Sequence, residues 1–304
     1  MQLSIIVCTY NREECILEAL LSLKDQTIAA EDYEIVLVDN NSTDTTPVIC
    51  RSFVADNPQL NIQYIHEERQ GLSYARNTGI EKAQGSIVAF LDDDAIAAKH
   101  YCQTIVDFFA QTPQAMVIGG RIFPKFETVQ PAWMPRELTP LYSTLDLGNE
   151  VREFKGRAYP IGANMAFRNY VFQECGTFNT SLGRIGKNLL GGEEKDMFFR
   201  IKEKKMRVFY LPEAWVFHII PTARTTKEFI KRQAIGSGKS ERLRCAHSWC
   251  KLTSACAFEC VKWGGSLFLS LKYVVLGKFK AARTLLQFRY WVSKGLFQDA
   301  SKNM

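Results

Sequence analysis

The first apolar run of the chain, Leu3 to Cys8, is followed by Thr9-Tyr10-Asn11-Arg12, with no glycine. A loop that cradles phosphate through its backbone N–H groups needs glycine there, so phosphate binding of that kind is excluded at this turn. Closely spaced cysteine pairs are missing too. Nine cysteines, an odd number, lie scattered from Cys8 to Cys260, which fits reduced thiols better than a disulfide framework. Cys245, Cys250, Cys256 and Cys260, with His247, lack the CxxC pairs of structural zinc sites and read as small core thiols. No basic segment precedes the first apolar run and no small-residue cleavage site follows it, so no signal peptide is expected and the cytoplasm is the expected compartment. The chain has no internal repeat or low-complexity tract, and its 46% hydrophobic content excludes a disordered protein.

Charge is unevenly spread. Residues 219 to 304 carry 16 Lys+Arg against 4 Asp+Glu, whereas residues 1 to 218 carry 22 against 28. A basic tail on an acidic body is either a solvated face or a surface for anionic lipid or nucleic acid. No nucleic-acid-binding motif accompanies the charge, so nucleic acid is disfavoured. From Trp263 to Val292 the chain reads WGGSLFLSLKYVVLGKFKAARTLLQFRYWV, dense in aromatics, but its charge-free stretches fall short of the ~20 apolar residues of a spanning helix. The favoured expectation is helices lying in the interface of an anionic membrane, which would make the protein peripheral on the cytoplasmic face. A re-entrant or spanning segment stays open, as does a helical hairpin packed on the rest of the chain or on a second subunit of a homo-oligomer.

The first part alternates short β-branched runs with helix-like stretches, the rhythm of an α/β domain with a mostly parallel sheet. Strands are predicted at Leu3 to Cys8, Glu34 to Val38, Ile62 to His66, Ile87 to Leu91 and Met116 to Phe123. The intervening helices are predicted at Glu13 to Lys24, opened by an Asn11/Glu14 capping box, at Thr45 to Ala55, and at Tyr74 to Ala83, closed by Gly85. A segment rich in proline (Pro124, Pro131, Pro135, Pro140) should be irregular. Regular structure then resumes through YPIGANMAFR, the helix GGEEKDMFFRIKEKK and the strand RVFYLPEAWVFH. The predicted domains are 1–220, α/β, and 221–304, helical and basic.

In open α/β sheets ligands bind beyond the carboxyl ends of the strands. The polar groups there are Thr9 to Arg12, Asp39 to Ser42 and Asp92-Asp93-Asp94, which should converge on one rim. Three consecutive aspartates after an apolar strand suit a hard divalent cation completed by phosphate oxygens, or else an acidic helix cap. Glu193, Glu194 and Asp196 after Gly191-Gly192 read as complements of a helix dipole or as a general base held by a tight turn. His218 ends an apolar run and is either a structural histidine or a metal ligand.

Taken in order, IIVCTYNR, IVLVDNNSTD, GLSYARNTGI, LDDD, GANMAFR, and GGEEKDMFFR followed by VFH resemble the family 2 glycosyltransferases over about residues 1 to 220. The resemblance implies a GT-A fold and an inverting, metal-dependent enzyme of the hexosyl-transferring class, with a DXD motif. Such an enzyme moves a sugar from a nucleoside diphosphate, UDP foremost, to a hydroxyl of a glycan or lipid-linked acceptor in cell-surface polysaccharide or glycolipid assembly. It further implies that Thr9, Tyr10, Arg12, Asp39, Asn41, Arg76, Asp92 and Asp93 bind the nucleotide, and that Asp94, Asp92 and His218 hold Mn²⁺ or Mg²⁺. Glu194 would be the catalytic base with Glu193 as the alternative, and Asn164, Gly120 and Gly192 would shape the donor and acceptor pockets. The chain departs from the family in reading Glu193-Glu194 where Glu-Asp is usual. A sugar-phosphate nucleotidyltransferase is the rival enzyme, and the missing glycine after the first strand argues against it. A catalytically silent sugar-nucleotide-binding protein is the rival from another class.

Overall fold

Strand residues that alternate in sequence are buried on opposite faces of one sheet, and this two-sided burial organises the protein. In the computed structural model, which describes residues 1–156, 158–184, 191–245 and 248–298, β1 (Leu3–Thr9), β2 (Tyr33–Asp39) and β4 (Ile87–Asp92) are buried along nearly their whole length. Leu3, Ile5, Val7, Ile35, Leu37, Ala89 and Leu91 enter one core together with Ile16, Leu20 and Leu23 of α1 (Ile16–Lys24). Ile6, Val36, Val38, Val88 and Phe90 enter the other. A side-chain period of two therefore feeds two cores from the same apolar runs.

With β3 (Ile62–His66), these strands run in the order β3-β2-β1-β4, all parallel. They are joined by α1, α2 (Thr46–Asp56) and α3 (Leu72–Lys82). Beyond β4 the sheet continues through β8 (Asn164–Arg168), β6 (Ala115–Phe126), β9 (Arg207–Ile220) and β5 (Ala95–Ala97), with β7 (Arg152–Glu153) also on β9. The pairs β4/β8, β8/β6, β5/β9 and β7/β9 are antiparallel. The mostly parallel sheet expected from the sequence is parallel through β3-β2-β1-β4 and takes its antiparallel strands beyond β4. Helices α4 (Tyr101–Gln111), α5 (Tyr170–Cys175) and α6 (Glu193–Glu203) complete this part of the chain.

One helix start differs from expectation. α1 begins after Cys15, which makes no side-chain cap, rather than at a capping box on Asn11. The carboxamide of Asn11 instead accepts from the Thr43 N–H (2.8 Å), and its own N–H donates to the Ser42 hydroxyl (3.0 Å). Its bonding groups tie the β1 loop to the β2 loop and are lost to the helix.

Two compact units are distinguished, 1–125 with 143–181 and 193–219, and 126–142 with 182–192 and 220–304. The last of these boundaries lies between residues 219 and 220. The second unit also takes the proline-rich segment, because Met134, Leu138 and Tyr142 share a core with Ile220, Ile230, Ala234, Leu285 and Phe288. That segment holds a 3₁₀ turn over Arg136–Tyr142. The rest of the unit is helical: α7 (Lys227–Arg244), α8 (Trp249–Val275) and α9 (Phe279–Phe297). Cys245 is buried while Cys250 and Cys260 are exposed, and His247 lies outside the described residues.

At the amino-terminal end of the sheet, the Ser4 hydroxyl accepts from the Gly85 N–H (2.8 Å), and Glu34 accepts from the Gln84 N–H (2.7 Å). A Cβ on Gly85 would lie 2.7 Å from the Ser4 nitrogen and 2.8 Å from the Leu3 carbonyl carbon, both backbone of a central strand that cannot move aside. Gly85→Ala should therefore destabilise the fold by about 2 kcal/mol or more, seen as a lower denaturation midpoint at unchanged slope. An unshifted midpoint would mean that the turn accommodates the methyl group.

Candidate active site

The carboxyl ends of β1, β2 and β4 lie side by side, with Thr9 opposite Asp39 and Cys8 opposite Asp92. The rim predicted from the sequence is therefore assembled. Asn40 donates its N–H to the Thr9 carbonyl (2.8 Å), and Glu67 to that of Asp39 (2.9 Å). Asp39 is fully buried, accepting from the Ser42 N–H (3.0 Å) and the Tyr64 hydroxyl (2.8 Å), so its carboxylate braces the β2 loop. Thr9 is buried, Tyr10 half-buried, and Asn41 exposed at a positive φ of 63°. Glu67, which sequence reasoning passed over, receives Arg69 through Nε (2.8 Å) and Nη2 (2.7 Å), a pairing that holds its carboxyl down at about 2.

The aspartate trio sits where the short strand β5 leaves the rim. Pairing of β5 with β9 sets Ala95 opposite His218, and the Ile219 N–H donates to the Asp94 carbonyl (2.8 Å). This brings the His218 Nε2 to 2.9 Å from Asp94 Oδ1 and 4.0 Å from Asp92 Oδ2. One ligand atom each of Asp92, Asp94 and His218 lies within 4.8 Å of the others, close enough to share one ion. Two carboxylates and an imidazole suit Mn²⁺ or Mg²⁺ completed by further oxygens, so the residues present fit such a cation.

Asp93 and Arg12, both expected at the nucleotide, face each other. Arg12 Nε lies 3.3 Å from Asp93 and its Nη2 lies 3.9 Å from Asp94. Burial pushes the Asp93 carboxyl up to about 6, against the pull of Arg12 and reinforced by Asp94 and Asp92. Asp93 in turn raises the guanidinium of Arg12. The cost of crowding three carboxylates is thus met in part by a cation from the β1 loop.

A second charge cluster forms around Arg76 of α3, which is 2% exposed. Its Nη1 donates to Glu193 (3.1 Å) and its Nη2 to Glu194 (3.1 Å), the first residues of α6. The rings of Phe178 and Phe90 lie 5.2 and 5.8 Å from the guanidinium carbon. Asn77 fixes Phe178 by a reciprocal pair of 2.9 Å hydrogen bonds. Both arms of Arg76, expected at the nucleotide, are engaged by the glutamates, so it braces them. Burial raises the Glu194 carboxyl, Arg76 lowers it, and Glu193 and Asp92 raise it further. The influence of Asp92 ties this cluster to the metal-ligating one. The Glu194 side chain keeps 22% of its surface exposed, against 6% for Glu193.

Two residues expected in the sugar pockets, Asn164 and Gly120, are tied into the frame. β8 runs antiparallel to β4 with Asn164 opposite Leu91, which delivers the GAN segment to the rim. Asn164 is 1% exposed and fully engaged, donating to the Arg121 (3.1 Å) and Ala214 (2.7 Å) carbonyls and accepting from the Tyr101 hydroxyl (3.1 Å). Gly120 packs directly on that amide and on the Ala214 carbonyl, where a Cβ has no room. Gly192, half-buried at φ 105°, makes the turn into α6. Gly162 lies against the carboxylate of Glu194 and the guanidinium of Arg76, again with no space for a side chain. The sequence offered only the glycine itself as a signal for that close approach.

A family model described as glycosyl transferase family 2 matches residues 4–176. A glucosyl-dolichyl phosphate glucuronosyltransferase of Haloferax volcanii is 30% identical over 249 residues, spanning 80% of this chain and 77% of that protein. The glycosyltransferase AglE of the same organism is 38% identical over 119 residues, which are 39% of this chain and 38% of its own length. Among solved structures, the mannosyltransferase PcManGT from Pyrobaculum calidifontis in complex with GDP-Man and Mn²⁺ has a TM-score of 0.66 at 18% identity, over 98% of this chain and 88% of that one. S. aureus TarS 1-349 in complex with UDP has a TM-score of 0.52 at 21% identity, over 78% and 65%. At these identities the two structures establish likeness of fold alone.

If Asp92, Asp94 and His218 form one cation site, Mn²⁺ should raise the melting temperature of the wild type but not that of Asp94→Ala or His218→Ala. A shift retained in both variants places the ion elsewhere.

Proposed function

The chain belongs to glycosyl transferase family 2, and from that membership we propose an inverting transfer of a sugar from a nucleoside diphosphate to a hydroxyl of a glycan or lipid-linked acceptor. Its fold, a mixed α/β sheet with a helical basic extension, is that of GT-A glycosyltransferases. The observation that carries the reading is the carboxylate–imidazole triad at the end of β4, with the Arg76-braced glutamates packed against Gly162, two residues before the Asn164 that pairs with Leu91 of β4.

In this reading Asp92, Asp94 and His218 hold Mn²⁺ or Mg²⁺, which when bound neutralises the diphosphate of the donor. Glu194, the more exposed of the two glutamates, accepts the proton of the acceptor hydroxyl. The hydroxyl oxygen bonds to the anomeric carbon as the bond from that carbon to the diphosphate breaks on the opposite face, inverting the centre. Thr9, Tyr10 and Asn41 stand at the strand ends where the nucleotide is expected. Arg76 is a positioning residue: its buried charge keeps Glu194 ionised and aimed, and Glu193 is the second anchor of that charge.

PcManGT holds GDP-Man with Mn²⁺ and TarS holds UDP or UDP-GlcNAc. A UDP- or GDP-sugar is therefore the donor to test first, by thermal shift with Mn²⁺ present. The Haloferax relative is named for a dolichyl phosphate substrate, which supports a lipid-linked acceptor; we set the transfer at the cytoplasmic face of a membrane, in surface polysaccharide or glycolipid assembly.

Glu194→Gln should lower kcat by about a thousandfold and leave nucleotide-sugar binding intact. Full activity of that variant removes Glu194 from the mechanism. The raised Glu194 carboxyl predicts an acid limb of kcat/KM above the ordinary glutamate range of about 4.3, with activity lost as pH falls through it and Glu194 takes up a proton. Glu193→Gln, which removes a like charge, should move this limb to lower pH. Arg76→Met should move it to higher pH and Arg76→Lys should partly restore it. Limbs unmoved by all three variants would show that another group titrates.

A further inference from the structure

Helix α8 is built inside out. Its buried residues are Glu259, Ser266 and Ser270, all polar. Arg289 of α9 reaches Glu259 at 3.1 Å and the Ser266 hydroxyl at 3.4 Å. The Trp263 indole donates to Ser293 (2.9 Å), and Ser270 donates to the Ala282 carbonyl (3.3 Å). The opposite side carries the apolar residues. Val261 is 69% exposed, Phe268 71%, Leu271 63% and Val275 79%. At 100° per residue these four fall on one stripe about a third of the helix circumference wide, together with the exposed Gly264 and Gly265. Leu267 and Val274 widen it, and Leu276 and Phe279, just past the end of α8, are exposed as well. A helix in water shows the reverse pattern, so this face is made to meet an apolar medium.

The charges select the medium. Across α8 and α9, residues 249 to 297, the only acidic residue is Glu259, which is buried and paired with Arg289 and Lys262. Lys262, Lys272, Lys278, Lys280 and Arg283 are exposed along the same helices. A second copy of this face would bring like charges together, whereas an anionic bilayer complements both the stripe and its lysines. No helix among the described residues is long and apolar enough to cross a membrane, so the helix would lie flat. We propose that the Val261–Val275 face of α8 docks on the surface of an anionic lipid bilayer. This deepens, and rests on, the reading of a membrane-presented acceptor.

The full chain should float with vesicles of phosphatidylglycerol and phosphatidylcholine, and much less with pure phosphatidylcholine. Phe268→Asp/Leu271→Asp should weaken that partition more than about tenfold while leaving Mn²⁺ and nucleotide-sugar thermal shifts unchanged. Lys272→Glu/Lys278→Glu should abolish the preference for the anionic vesicles. The proposal is overturned if the wild type stays with neither vesicle, if the Asp variant binds as the wild type does, or if the wild type is a dimer that the Asp variant makes monomeric. Because flotation needs no donor sugar, its failure would leave the transferase reading standing, and loss of sugar transfer would leave the flotation result standing.

Discussion

Five carboxylates meet at the carboxyl-terminal rim of the sheet, Asp92, Asp93, Asp94, Glu193 and Glu194, and the site depends on how their charge is balanced. Buried like charges repel strongly, and each is tolerated only with a partner or a proton. Arg12 faces Asp93 and Asp94, His218 faces Asp94, and Arg76 takes both glutamates. The two guanidinium groups arrive from the β1 loop and from α3, and the imidazole from β9. The balance leaves Asp92 and Glu194 the partly exposed members, with side chains 34% and 22% accessible. They are the two through which a cation and a substrate hydroxyl are reached.

The surrounding frame keeps these pairs in place. Asn164 uses its amide to join β8 with β6 and β9, and Tyr101 of α4 anchors the same side chain. Gly120 and Gly162 let backbone and charged groups approach where a methyl group would collide. Phe90 and Phe178 shield Arg76 from water, which strengthens its hold on the glutamates in the low dielectric they create. The second unit follows a different logic. Gly238 of α7 and Gly295 of α9 allow close helix contact, while α8 turns polar groups inward and apolar groups outward.

Much of the architecture was legible from local pattern. The four runs Leu3 to Cys8, Glu34 to Val38, Ile62 to His66 and Ile87 to Leu91 are the parallel strands, since β-branched runs buried on both faces have few alternatives. The GGEEKDMFFR helix and the long strand through AWVFH were legible for similar reasons. β5 was not, because three residues of strand carry no periodicity. The capping box on Asn11 looked sound locally but lost to bonds across to Ser42 and Thr43, residues remote in sequence. The bonding of Asn164 and the packing of Gly120 are directed into the frame, through partners remote in sequence.

The sequence by itself determined which residues stand at strand ends and which chemical groups they offer, because a side-chain period of two and polar residues after apolar runs are local properties. Only the tertiary structure decided which charge answers which. Arg76 and Glu193 are 117 positions apart, and Asp94 meets His218 only because β5 pairs with β9. Coulombic pairing depends on distance in space, and the sheet order that sets those distances is a property of the folded chain as a whole.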